Sequence, residues 1–300
     1  MNPLNDLIVS TLQIFPKGFV KRFAMRYIAG EDISDAVRLV REMNSKRMTA
    51  TVDVLGENVK TKEEAAGSAK AARDVLEVIS GNQLGANLSV KLTQLGLNID
   101  HDFCFDNVKE VLALARSHGN FVRLDMEDST TTTATLSMYE RLREAGFNNT
   151  GVVIQSYMRR SEDDVRRLIE MQASVRLVKG IYIEPESIAF KGKDEIRKNF
   201  VKLLSLLLEA KCRVAIATHD DYLINAAHGL IARFSSSPDE YEFQMLLGVR
   251  SDIRDRLVAE GHRLRVYVPF GKHWYAYAMR RFQENPQVAG YVLKSILTGK

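Results

Sequence analysis

The sequence is short of the residues that would tie it to several large classes of function. Its 300 residues hold two cysteines, Cys104 and Cys212, and neither belongs to a C-x-x-C pair. That leaves no thiolate set for a structural zinc or an iron–sulfur cluster, and it predicts two buried thiols in a reducing compartment rather than a disulfide framework. There is no H-E-x-x-H, so no metal is expected. No apolar run approaches the 18 residues of a membrane-spanning helix. Neither G-x-G-x-x-G nor G-x-x-x-x-G-K-[ST] occurs, which removes the fingerprints of dinucleotide and nucleoside-triphosphate sites on open sheets. Charge of one sign is scarce too: 42 Lys+Arg against 38 Asp+Glu leave a net +4. So small and evenly spread an excess does not argue for a nucleic-acid partner, while it suits an anionic substrate, an anionic cofactor or a weak membrane-surface contact. The N-terminus, MNPLNDLIVSTLQIFPKGFVKRF, lacks the order of a secretory signal, so the chain is read as cytoplasmic.

What is present is an ordinary soluble composition, 45% apolar and 27% charged, arranged in a rhythm. Residues 1–45 read as a helical arm. Leu4, Leu7, Ile8, Leu12 and Phe15 fall at helical spacing, Phe19, Phe23 and Tyr27 recur beside basic residues, and Ser34 caps a last helix through Val37, Leu39, Val40 and Met43. Such a basic amphipathic arm either docks on the main domain or lies on a membrane surface. From residue 46 to 300, short β-branched runs alternate with amphipathic helices. The spacing predicts strands at 49–55, 87–92, 120–126, 151–157, 174–180, 213–218, 241–246 and 264–269. It predicts helices at 62–79, 105–117, 132–145, 161–172, 193–209, 220–232, 249–260 and 272–283, the fourth opened by a Ser161–Asp164 capping box. Eight such units predict an α/β chain folded as one (β/α)8 TIM-type barrel, with an open doubly wound sheet as the competitor.

In a barrel, chemistry collects where strands end at their C-terminal face. Each apolar run here ends in polar residues: Asp53 and Glu57, Lys91, Asp125 with Glu127 and Asp128, Gln155, Arg176 with Lys179 and Tyr182, Thr218 and His219, Gln244, and Tyr267, followed by Trp274, Tyr275, Tyr277, Arg280 and Arg281. Each has a bland reading: a snorkelling lysine, a helix cap for Asp125, a core histidine for His219, a solvated Arg280–Arg281 pair. Capping, however, favours Asp, Asn, Ser and Thr over Lys, Arg, Gln and Tyr. Arginine forks suit a carboxylate or phosphate, and the aromatic residues suit a small apolar body. The residues alone therefore predict a barrel enzyme acting on a carboxylate or phosphate, with the reaction unnamed.

Eight segments in order then resemble the proline dehydrogenase family: SVKLTQLG (89–96), RLDMED (123–128), VIQSYMRR (153–160), RLVKGIY (176–182), ATHD (217–220), EFQMLLG (242–248), RVYVPFG (265–271) and WYAYAMRR (274–281). The resemblance runs from DVLGE (53–57) across the whole barrel. It implies a monofunctional, FAD-dependent enzyme oxidising L-proline to Δ1-pyrroline-5-carboxylate, with an extra helix over the barrel mouth. It also implies electrons passed to a quinone, a separate pyrroline-5-carboxylate dehydrogenase downstream, no nucleic acid, and a peripheral contact with the inner face of the membrane.

The resemblance assigns roles residue by residue. Asp125 and Arg176 are similar to the active-site acid and the arginine beside the flavin. Lys91, Arg280 and Arg281 resemble the holders of the proline carboxylate, and Tyr182, Leu246, Tyr267 and Tyr277 the walls around the proline ring. Met126, Gln155, Lys179, Gly180, Ile181, Thr218 and His219 resemble flavin contacts, with Ile181 standing where the family more often has Ala. Glu57 resembles a gate in the first βα loop. Two other classes compete: a Schiff-base aldolase using Lys91 or Lys179, and a non-catalytic proline sensor.

Overall fold

The computed structural model describes residues 20–21, 24–56 and 58–284, without the side chains of 280 and 282–284. The N-terminal pattern through Phe19 and Phe23 lies outside the described residues. Helix α1 (Ile33–Ser45) leads into strictly alternating strands and helices. In chain order these are β1 (Thr49–Val54), α2 (Lys62–Gly81), β2 (Ala86–Lys91), α3 (His101–Ser117), β3 (Val122–Asp125), α4 (Ser129–Glu144), β4 (Thr150–Gln155), α5 (Ser161–Glu170), β5 (Val175–Val178), α6 (Lys193–Glu209), β6 (Val214–Ala217), α7 (Asp221–Arg233), β7 (Tyr241–Leu246), α8 (Ser251–Ala259), β8 (Leu264–Phe270) and α9 (Trp274–Glu284). All strands pair in parallel with their sequence neighbours, and β1 pairs with β8, closing an eight-stranded barrel.

Side chains alternate along each strand. On β1, Ala50 and Val52 join the apolar core under the helices, while Thr51 and Asp53 are equally buried but bond to polar side chains of β2. On β8, Leu264, Val266 and Val268 pack in that core, while Arg265 and Tyr267 bond to Glu242 and Asp125. The apolar core is thus a sleeve between strands and helices, and the barrel bore is polar. The β-branched runs in the sequence reported only the sleeve.

Helix starts follow local chemistry. Thr61 and Glu64 form a capping box on α2, and Asp100, Asp128 and Asp220 cap α3, α4 and α7. The Ser161–Asp164 box does not form. The Ser161 hydroxyl donates to the Gln155 carbonyl at 2.5 Å, and Asp164 accepts both bonds of the Arg160 fork. Ser34 is likewise not a cap; Asp32 precedes α1 instead. Cys104 and Cys212 are free and buried.

Two helices depart from the regular packing of the repeat: α1, which precedes it, and α9, its eighth helix. Helix α1 packs against β1 and β8, burying Ala36, Val40 and Met43 in the main core. Helix α9 instead forms a second apolar cluster, in which Trp274, Tyr277, Ala278 and Met279 meet Val20, Ala24, Tyr27, Ile28 and Leu55. Ala29 N–H donates to the Pro269 carbonyl at 2.9 Å, and the Trp274 indole donates to Glu31 at 2.9 Å. These bonds fix residues 24–31 beside the end of β8.

Toward the lower end of the bore, Glu242 accepts from Arg265 Nε at 2.8 Å, and both residues are largely buried. Removing one partner of a buried pair leaves an uncompensated charge. Glu242→Ala should therefore cost about 3–5 kcal/mol in urea unfolding; a loss within 1 kcal/mol would show that the bore is solvated.

Candidate active site

The strands' C-terminal ends open into a cavity of about 560 Å³. Every expected site residue whose side chain is described lines it. Lys91 comes from β2, and Asp125 and Met126 from the end of β3. Gln155 comes from β4, and Arg176, Lys179, Gly180, Ile181 and Tyr182 from β5 and the segment after it. Thr218 and His219 follow β6, Leu246 ends β7, Tyr267 lies on β8, and Tyr277 and Arg281 reach in from α9. Glu57 and the Arg280 side chain lie outside what is described.

The parallel register sets Lys91 directly beside Asp125. Asp125 is the hub of the bore's upper end. One carboxylate oxygen accepts from Arg176 Nη1 at 2.6 Å and from the Ser89 hydroxyl at 2.5 Å; the other accepts from the Tyr267 hydroxyl at 2.8 Å. Burial alone would raise this carboxyl. The Arg176 guanidinium and the Lys91 ammonium outweigh burial and hold it below the usual carboxylate range. Lys91 Nζ lies 4.0 Å from Asp125 and donates to both oxygens of Asp53, each at 3.1 Å. Burial opposes the lysine's charge, but the two carboxylates prevail and its pKa rises. Asp53 moves upward because burial dominates over the pull of Lys91. Tyr267, raised by burial and the neighbouring carboxylates, remains a phenol that donates.

Arg176 is gripped from below. Its Nε donates to Gln244 Oε1 at 2.6 Å, and Gln244 Nε2 donates to Glu242 at 2.6 Å. The Arg176 Nη2 atom is buried and has no hydrogen-bond partner among the described residues. An arginine held at Nε and Nη1 with Nη2 unspent, in the wall of a cavity, is a prepared donor for a ligand.

The flanks are fixed by backbone chemistry. Gly180 has φ +109°, and a Cβ there would stand 2.1 Å from the Tyr157 ring, so no side chain fits. Gln155 donates to the Glu127 carbonyl at 2.8 Å. His219 Nε2 accepts from the Leu246 N–H at 2.9 Å, so the ring is neutral, with its proton on Nδ1. Burial, with the charges of Arg281 and Lys179, takes its pKa down to about 3.

Some participants escaped the sequence reading. Asp53 and Gln244 stood among its polar strand ends without a role; they hold Lys91 and Arg176. Ser89 gave no signal, since a serine inside a strand reads as an ordinary neutral position. Tyr27 belonged to the aromatic arm pattern, and the fold brings it to the cavity wall, where it is 1% exposed. Away from the site, His228, Glu260 and His262 gather within 4.8 Å, but the two imidazoles stack with 20° between planes. In-plane lone pairs of nearly parallel rings do not converge on one ion.

His219 makes an acid-side prediction. Its folded pKa is depressed, so its contribution to stability is present above about pH 6.5 and is lost as pH falls from there toward about 3. Melting temperature should drop across pH 7 to 4, and His219→Asn, which accepts without titrating, should drop less steeply. Parallel curves would show that His219 is not a source of the acid sensitivity.

Comparison with known proteins identifies the family. The profile of the proline dehydrogenase family matches residues 36–293. Proline dehydrogenase 1 of Bacillus subtilis is 37% identical over 288 residues, covering 96% of this chain and 95% of that protein. Proline dehydrogenase of Deinococcus radiodurans is 34% identical, over 92% and 90%. Among solved structures, proline utilization A from Bdellovibrio bacteriovorus, inactivated by N-propargylglycine, superposes with a TM-score of 0.83 at 28% identity. That match covers 88% of this chain and 33% of that one, so the chain spans about a third of its length. A polar-bored barrel with a carboxylate–guanidinium pair at its mouth, matched over nearly its whole length, places this chain in the proline dehydrogenase family, oxidoreductases that act on CH–NH donors.

Proposed function

We propose that this protein oxidises L-proline to Δ1-pyrroline-5-carboxylate, with FAD as resident oxidant and a quinone as final electron acceptor. The observation that carries this reading is Arg176, a buried guanidinium with an unspent Nη2 in the wall of the cavity that Asp125 and Lys91 also line. The residues present fit a flavin. The cavity lies within the usual range for ligand sites, its lining is mainly apolar with a few convergent polar groups, and Gly180 keeps one wall free of a side chain. Met126, Gln155, Lys179, Gly180, Ile181, Thr218 and His219 would hold it. When bound, a flavin supplies the two-electron chemistry that amino-acid side chains lack.

The chain's own residues bind and orient. Arg281 of α9, buried at the mouth, and Lys91 supply cations for the substrate carboxylate, with Arg280 as the proposed third. Tyr182, Leu246, Tyr267 and Tyr277 enclose the ring. Asp125 is held as a carboxylate by Arg176 and Lys91, which makes it a weak base at neutral pH. Its role is to anchor the guanidinium and the Tyr267 hydroxyl rather than to accept the amine proton. Glu57 is the proposed gate of the first βα loop.

The same charges disfavour an aldolase. A Schiff-base amine needs a lowered pKa, whereas Asp53 and Asp125 raise that of Lys91. Lys179 pairs with Asp220 at 3.6 Å and is half exposed rather than desolvated.

The decisive experiment is a visible spectrum of the purified protein. A flavin band that bleaches on adding L-proline is expected; a colourless protein, or a band that does not change, would sink the reading. Two variants then separate roles. Asp125→Asn should keep the flavin and lose turnover mainly in kcat. Arg281→Met should raise the KM for proline and lower kcat/KM by about 10- to 150-fold, the worth of a hydrogen bond to a charged group. If the two variants shift the same parameter, the division of labour is wrong.

We further propose that the protein is cytoplasmic, that its N-terminal arm makes the peripheral membrane contact, and that a separate pyrroline-5-carboxylate dehydrogenase takes the product. Among the described residues no helix is long and apolar enough to cross a membrane. Because residues 24–31 are built into the barrel's end, the test deletes 1–19 alone. Quinone reduction at vesicles should fall while dye reduction in solution persists; equal loss of both would make the arm structural.

A further inference from the structure

A second pocket, of about 430 Å³, opens at the opposite end of the barrel, where the strands begin. It is walled by the starts of β1, β2, β7 and β8 and the approaches to β3, β5 and β6, and the bonded side chains of Glu242, Gln244 and Arg176 stand between it and the active site. Its charges do not balance. Arg123, Arg213 and Arg265 face one carboxylate, Glu242. That carboxylate is already committed, since it accepts from Arg265 and from Gln244.

Arg123 is the centre of the imbalance. Only 4% exposed, it donates Nη1 to the Val152 and Ser174 carbonyls at 3.1 and 2.6 Å and Nη2 to the Ser174 hydroxyl at 3.0 Å. All these partners are neutral, and no carboxylate lies within ion-pair distance among the described residues. Its Nε is buried without a partner. Burial and the repulsion of Arg176 above it bring its pKa down to about 9. A buried cation without a counter-ion is costly unless something else supplies the charge. Around it, Arg213 is exposed with no ion pair among the described residues. Asn87 commits its amide oxygen to Thr51 at 2.6 Å and leaves its amide nitrogen unspent among the described hydrogen bonds.

We propose that this lower pocket is an anion site, built for a phosphate group, free or at the end of a small metabolite, whose two charges match the excess carried by Arg123 and Arg213. Phosphate oxygens accept from guanidinium forks and amide N–H groups at once, which a halide of single charge does less well. The site is independent of the proline-oxidising reading and shares no lining residue with the active site.

The test is calorimetric titration of the flavin-loaded full chain with inorganic phosphate, and separately with glycerol 3-phosphate, at fixed ionic strength. Saturable one-to-one binding unaffected by L-proline is expected. Arg213→Ser, at the surface, should weaken it by on the order of tenfold, the worth of one charge-assisted contact, and should leave the KM for proline unchanged. Arg123→Gln should abolish it; if that variant does not fold, the Arg213 comparison decides. Tighter binding of the ester would identify a metabolite as the source, and equal binding the free ion. No saturable heat, equal affinity in wild type and Arg213→Ser, or displacement of phosphate by L-proline would each overturn the proposal.

Discussion

Charges enclosed in a barrel must be paired, and that requirement shapes both ends of this fold. The bore is lined by arginine, lysine, aspartate and glutamate rather than the branched apolar residues that commonly fill it. They are largely withdrawn from water there, so most of them are answered by a neighbour. The answer is one connected chain. Arg265 bonds to Glu242, Glu242 to Gln244, Gln244 to Arg176, and Arg176 to Asp125; Lys91 then lies beside Asp125 and is gripped by Asp53. The chain runs from the lower third of the barrel to its mouth.

This arrangement stiffens the active site without using loops. Arg176 is held at two of its nitrogens by side chains that strands fix in register, and Asp125 is held at both oxygens. Such a site can meet a ligand with little reorganisation, which is how preorganised charges stabilise charge that develops during reaction. The rest of the cavity lining comes from the segment after β5 and from α9, which reaches over the mouth. The same chain leaves Arg123 out at its lower end, and that omission distinguishes the second pocket from an ordinary solvent-filled cleft.

Much of this was legible in the sequence. Eight β-branched runs separated by amphipathic helices specify the order of strands and helices in a parallel sheet because strand and helix periodicities are local properties, while the pairing of β1 with β8 decided a closed barrel over an open sheet. The polar residues at the run ends marked the cavity, since a barrel directs those positions to one face. Less legible were the helix starts, where Ser161 and Ser34 competed with neighbours that the fold placed closer. The partners of the site residues were also hidden. Ser89 and Gln244 lie 36 and 68 residues from Asp125 and Arg176, and nothing local links them.

The order and type of elements, and the strand ends that carry chemistry, can be read from the residues alone, because hydrophobic periodicity and residue type act over a few neighbours. Folding adds that Lys91 is already paired with Asp53, that Asp125 is held as a carboxylate, that Tyr27 reaches the mouth, and that Arg123 is buried without a counter-ion among the described residues. Those are facts about charge at a distance of a few ångströms between residues far apart in the chain, and only closure of the barrel brings them within that distance.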